Sequence, residues 1–163
     1  MDSLILPLYK QSDVTIVKAK DCYLYDAENN EYTDFESGDW AANLGHSNIH
    51  INETIKNQIE ISIHDGLRFR NNESENLSKL LLEILNFEGG KSVFLNSGSE
   101  AVNLAIAIAK HITKREKILK LDCSYLAAYG LGHSGNLDLL NIDSLAQLET
   151  IDFSTVAAFI LEP

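Results

Sequence analysis

Residues 14–35 alternate between apolar and polar side chains, with β-branched and aromatic residues on the apolar beat, and Ala27-Glu28-Asn29-Asn30 interrupts the alternation. A period of two around a turn predicts a hairpin, 18–25 against 31–35. The next stretch, Glu36-Ser37-Gly38-Asp39-Trp40-Ala41-Ala42-Asn43-Leu44-Gly45-His46, has no period and two glycines, and reads as a loop. Beyond it the beat lengthens. Ile51, Ile55, Ile59 and Ile63 recur every four residues with polar residues between them, so 48–64 is predicted as an amphipathic helix that Gly66 ends. Leu77, Leu80, Leu81, Ile84 and Leu85 give a second helix, 73–85, with one face expected to be buried, before Gly89-Gly90 breaks the chain.

The pattern then concentrates in residues 93–109, VFLNSGSEAVNLAIAIA. Val93, Phe94 and Leu95 read as a short apolar strand, Asn96-Ser97-Gly98-Ser99 as a turn, and 101–112 as a helix covered on most sides. Strand, small-residue loop and buried helix in that order make a phosphate-binding layout. The first N–H groups of a helix lack partners and carry the positive end of its dipole, and Gly98 removes a side chain that would block an anion. Ser97 and Ser99 add hydroxyls. Ser97 followed three residues later by Glu100 is equally a capping box, which satisfies helix amides with no ligand at all. The loop also lacks the Gly-Lys-Ser/Thr ending of a nucleotide P-loop.

Residues 117–121 form another buried-strand run, 144–150 a short helix, and 156–161 a third apolar strand closed by Glu162 and Pro163. Strands alternating with helices after residue 90 predict an α/β fold with a doubly wound, mainly parallel sheet. Tyr125 falls just past the carboxyl end of the 117–121 strand, the edge where such sheets gather ligands, although a rim aromatic needs no ligand to explain it. Trp40, the only tryptophan, is either a packing anchor or a wall of a substrate pocket. His46 reads more readily as a hydrogen-bonded structural residue than as a catalyst.

Composition narrows the function classes. In a chain of 163 residues with 45% hydrophobic content, 13 basic residues stand against 24 acidic ones, for a net charge of −11. That field argues against nucleic-acid partners and anionic membranes, so any phosphate site must be built locally from amides and a helix end. Cys22 and Cys123 show no metal-type spacing, and two thiols expected to be reduced fit a cytoplasmic protein. With Asp2 after Met1 and no apolar run near about 18 residues, neither a signal peptide nor a membrane span is expected.

Four separated blocks resemble the amino-terminal part of a class III aminotransferase, a pyridoxal-phosphate enzyme of fold type I. They are Tyr25-Asp26 to Tyr32-Thr33-Asp34; Asn43-Leu44-Gly45-His46 followed by a helix containing Gln58; Asn96-Ser97-Gly98-Ser99-Glu100-Ala101; and Glu162-Pro163. The resemblance implies an N-terminal hairpin and loop segment over 1–47 and, over 48–163, the first part of the cofactor-binding large domain, incomplete at its carboxyl end. It implies pyridoxal 5'-phosphate as cofactor, with Gly98 and Ser99 donating to its phosphate, Ser97 supporting the loop, Tyr125 stacking on the pyridine ring, Glu162 near the ring and substrate side, and Trp40 in the loop that walls the substrate pocket. The implied partners are a small-molecule amino donor and a 2-oxo acid acceptor, and either a second copy in a homodimer or a complementing carboxyl-terminal half.

Two departures from the family pattern bear on function. Tyr125 is followed by Leu126-Ala127 where the family has His-Gly. The aspartate that pairs with the pyridine nitrogen, the Schiff-base lysine and the arginine for a substrate carboxylate match no position here, so no catalytic residue is assigned. The sequence therefore reads as the front portion of an aminotransferase that is catalytic only with the missing half. A non-catalytic binding module that keeps the phosphate cup, and an aminomutase of the same family, are the alternatives.

Overall fold

The computed structural model describes residues 5, 6, 10–66, 68–133, 135 and 138–162. The chain forms two compact units, Met1–Asn72 and Glu73–Pro163.

In the first unit, β1 (Ile16–Lys20), β2 (Tyr23–Asp26) and β3 (Glu31–Thr33) make an antiparallel meander in that order. The turn between β2 and β3 is the expected one. Asp26 anchors it, accepting the Asn30 N–H at 2.8 Å, the Asn30 side-chain amide at 2.9 Å and the Tyr32 hydroxyl at 2.8 Å, while Asn29 takes a left-handed φ of 64°. The expected single strand 18–25 is instead two strands. Asp21, at φ 51°, turns the chain, and its backbone pairs with His46. The helix predicted over 48–64 spans Ile49–Ile61, capped by the Asn48 side chain, which accepts from the His50 and Ile51 N–H groups.

In the second unit β4 (Lys117–Leu121) is central, with β5 (Leu139–Ile142) and β6 (Val156–Ile160) parallel on either side in the order β5-β4-β6. Alternation along β4 sends neighbouring side chains to opposite faces. Ile118 packs with Ile106 and Leu139 beneath the Gly98–Thr113 helix; Leu119 packs with Ile142 and Val156, and Leu148 and Ile151 from the turns after β5 lie against that second cluster. This is the α/β arrangement expected. β5 had no counterpart in the sequence reading, and the helix expected over 144–150 is a 3-10 helix, Leu145–Thr150.

Three expectations about burial are corrected. Val93, Phe94 and Leu95 pair with no strand among the described residues and are exposed. A strand exists only through a hydrogen-bonded neighbour, and apolar character alone does not supply one. The apolar faces of the Ile49–Ile61 and Asn72–Ile84 helices, including Ile55, Ile59, Leu77 and Leu80, are likewise exposed. Only Ser99 and Ile106 of the Gly98–Thr113 helix are fully buried, and Ile108 and Ile112 face outward. Periodicity marks which face favours cover, not where the cover comes from.

Candidate functional site

The Gly98–Thr113 helix opens on a reciprocal cap. The Ser97 hydroxyl accepts the Glu100 N–H at 3.2 Å and donates to the Glu100 carboxylate at 3.2 Å, and that carboxylate accepts the Asn96 N–H at 2.9 Å. The Ala101 N–H bonds the Ser97 carbonyl at 3.1 Å. The cap leaves two amides over: among the described residues nothing accepts from the Gly98 or Ser99 N–H. A Cβ added to Gly98 would meet nothing within 4 Å, so there is free space beside the first residue of the helix.

Ser99 is 8% exposed, and its hydroxyl oxygen accepts the Ala128 N–H at 3.0 Å. One hydrogen is left for a ligand in front of the helix. Two uncommitted amides and a hydroxyl at the head of a helix, with free space beside Gly98, fit the oxyanion of a phosphate monoester, so the residues present suit the phosphate end of pyridoxal phosphate.

The carboxyl edge of the sheet is tied together around Tyr125. Since β4 and β6 are parallel neighbours, their following residues emerge side by side. The Glu162 carboxylate accepts the Tyr125 N–H at 3.0 Å, and the Glu162 N–H donates to the Ser124 hydroxyl at 3.1 Å. Lys120, 3% exposed at the end of β4, donates its ammonium to the Ser124 carbonyl at 2.8 Å. Three bonds from two residues, Glu162 and Lys120, thus hold Ser124 and Tyr125. Three residues later the same loop reaches Ser99, and three peptide steps span at most about 10 Å. Tyr125 is therefore at most about 10 Å along the chain from Ala128, the residue that Ser99 holds.

Ser97, Gly98, Ser99, Tyr125 and Glu162 all belong to this unit, whereas Trp40 belongs to the first. There Ser37, Gly38, Asp39 and Trp40 form a left-handed turn with φ between 51° and 63°. Asp34 braces it, accepting the Glu36 N–H at 3.0 Å, the Gly38 N–H at 3.1 Å and His46 Nε2 at 2.7 Å. The His46 contact, with the backbone N–H groups behind it, holds the Asp34 carboxyl below the usual carboxylate range. His46 is engaged structurally. Trp40 is 75% exposed and is no packing anchor among the described residues.

The family model for class III aminotransferases matches residues 7–129. The chain belongs to the class III aminotransferases. It is 33% identical to the acetylornithine aminotransferase of Archaeoglobus fulgidus over 71% of this chain and 30% of that protein. It is 34% identical to a glutamate-1-semialdehyde 2,1-aminomutase of Methanococcus maripaludis over 75% of this chain and 28% of that protein. A transaminase of Sulfolobus acidocaldarius that acts on LysW-aminoadipate semialdehyde or glutamate semialdehyde is 30% identical across 98% of this chain and 45% of its own length. Among solved structures, the taurine:2-oxoglutarate aminotransferase of Bifidobacterium kashiwanohense, in complex with PLP and glutamate, superposes with a TM-score of 0.82 at 20% identity, over 98% of this chain and 45% of that one. The ornithine delta-aminotransferase of Plasmodium falciparum gives a TM-score of 0.76 at 23% identity, over 95% and 40%. The class III chain thus spans less than half the length of these relatives.

Lys120 and Ser124 hold the Tyr125 and Glu162 backbones, Asn103 accepts the Leu131 N–H, and the Tyr129 hydroxyl lies beside that of Ser97; sequence reasoning passed over all four. Ser99 and Asn103 are four residues apart on one helix face, a spacing that signals joint action. In 117–121 Lys117 opens the run, while Lys120 stands between Leu119 and Leu121, which is the pattern of a buried and therefore bonded group.

Proposed function

We propose that this chain is the cofactor-binding front portion of a pyridoxal-phosphate-dependent aminotransferase that moves an amino group between an amino acid or amine and a 2-oxo acid. The observation that carries the reading is the pair of uncommitted Gly98 and Ser99 amides at the head of the helix, whose Ser99 side chain holds the loop that follows Tyr125. In it, Gly98 and Ser99 bind the phosphate, Ser97 orients the loop through its cap, Tyr125 lies against the ring face, and Glu162 keeps Tyr125 in place. Trp40 borders the substrate pocket. The bound cofactor supplies an electron sink for the bond broken at the amino carbon.

Proton transfer and imine chemistry need a basic nitrogen, and the ring nitrogen needs a carboxylate partner. The reading places the Schiff-base lysine and that carboxylate outside residues 1–163, in the rest of a longer polypeptide or in a separate chain. Region 48–163 is then the first part of the large domain. The exposed faces of Leu77, Leu80 and Ile108 are covered by that remainder or by a second copy in a homodimer, and the protein acts in the cytoplasm on small molecules.

Two observations keep other readings in view. Leu126-Ala127 in place of His-Gly favours a non-catalytic module that retains only the cup. The 34% identity to an aminomutase favours an internal amino shift instead of transfer to a second molecule.

Borohydride reduction of the chain with pyridoxal phosphate, followed by peptide mapping, tests where the lysine is. The cofactor is expected to be recovered unattached, as its reduced alcohol, with no stoichiometric label on any lysine of 1–163. A single lysine carrying the label overturns the reading. Equilibrium dialysis tests the cup: pyridoxal phosphate is expected to bind at least tenfold tighter than pyridoxal, and equal affinities overturn it.

A further inference from the structure

The loop after Tyr125 is docked unusually closely on the first two turns of the Gly98–Thr113 helix. Ser99 holds it at the Ala128 N–H, and one turn later Asn103 accepts the Leu131 N–H at 2.6 Å. Between these anchors Gly130 takes a φ of +82°, and a Cβ there would come within 2.4 Å of the Asn103 amide, so only glycine lets the loop lie this near. Tyr129 is the side chain fixed between the two anchors.

Its ring is half exposed, and its hydroxyl lies 3.5 Å from the Ser97 hydroxyl, at the mouth of the helix. That is long for an O–H···O bond, and it is the one contact the hydroxyl makes among the described residues. With the Ser97 hydrogen given to Glu100, the Tyr129 hydroxyl is the donor in this long contact, and a stronger acceptor at the helix mouth would draw that hydrogen to itself.

Charge explains why such a donor matters here. The Glu100 carboxylate sits in the cap and offsets part of the positive helix end, and the chain as a whole carries −11. Among the described residues no lysine or arginine bonds to the cap. A phosphate dianion at this helix must be held by neutral donors, and each additional one adds a charge-assisted hydrogen bond.

We infer that the Tyr129 hydroxyl is a third donor to the phosphate of pyridoxal phosphate, beside the amides of Gly98 and Ser99. This rests on the cofactor reading above and extends it to a residue outside the family blocks.

Tyr129→Phe removes the hydroxyl and keeps the ring, so it leaves the docked loop intact. Equilibrium dialysis of the 163-residue chain, wild type against variant, with pyridoxal phosphate and with pyridoxal as separate probes, reads the effect. The variant is expected to lose about tenfold in affinity for pyridoxal phosphate and none for pyridoxal, as befits one hydrogen bond to a charged group. The phosphorus resonance of the bound cofactor is expected to shift as well. Unchanged affinity in the variant, while the wild type still prefers pyridoxal phosphate tenfold or more, overturns the role of Tyr129 and spares the cup. Equal weakening of both probes assigns Tyr129 a purely structural part and also overturns it. A wild type indifferent to the phosphate removes the cup and this inference together.

Discussion

Lys120 concentrates the physics of the site in one side chain. An ammonium in the interior is tolerated only when its donors are matched, and here the Ser124 carbonyl takes one of them at 2.8 Å. Lys120→Ala removes both the packed stem and the donor, and is expected to lower the unfolding free energy in urea by about 3 kcal/mol. Lys120→Met restores the stem without the charge, and about half of that loss should return. Glu162 acts by a different route, as an acceptor for a backbone amide. Glu162→Ala frees the Tyr125 N–H, whose hydrogen exchange should quicken at least tenfold, whereas Glu162→Gln keeps a carbonyl oxygen in reach and should leave it near wild type.

Elements differ in how their stability is held, and the cap and the left-handed turn make the contrast. Ser97→Ala takes the acceptor from the Glu100 N–H and is expected to cost about 1 kcal/mol in thermal unfolding, with Ser97→Asp recovering most of it. The 37–40 turn depends on charge instead. Asp34 has its carboxyl held low by His46 and by backbone N–H groups, so its contribution is present above the ordinary aspartate range, near pH 4, and is lost as pH falls through the lower folded value. Acid titration of the Trp40 fluorescence should show that loss below about pH 4, and Asp34→Asn should flatten it. Much at this scale was legible in advance. The 117–121 strand follows from an apolar run bounded by polar residues, the Asn29 turn from its residue types, and the Ser97 cap from its spacing to Glu100. The rest was not, for identifiable reasons. β5 offers only Leu139, Leu140 and Ile142 around Asn141, too little to show a period. Ser37, Asp39 and Trp40 take positive φ without being glycine, held there by Asp34 and its contact with His46 twelve residues on, a pairing that no residue type in the turn announces. Of the candidate residues, the reading singled out Ser97, Gly98, Ser99, Tyr125 and Glu162, with Trp40 for the substrate pocket. The buried Lys120 and the docked Tyr129 depend on contacts that no local pattern announces.

Over the whole molecule two tendencies oppose each other. Exposed isoleucine and leucine faces favour association, while a net charge of −11 keeps like chains apart. Raising salt from about 0.05 M to 0.5 M shortens the screening length severalfold, so sedimentation velocity should show the chain shifting from smaller to larger species. A distribution that ignores salt would mean those faces are not adhesive. Finally, the bond between Tyr125 and Glu162 joins residues made 37 positions apart. On a ribosome the capped helix with its spare amides emerges first, and the Tyr125 backbone is tied down only once the last described strand has been laid beside β4. Order in time is thereby built into the chain: the helix end is complete before the carboxyl edge of the sheet is fastened.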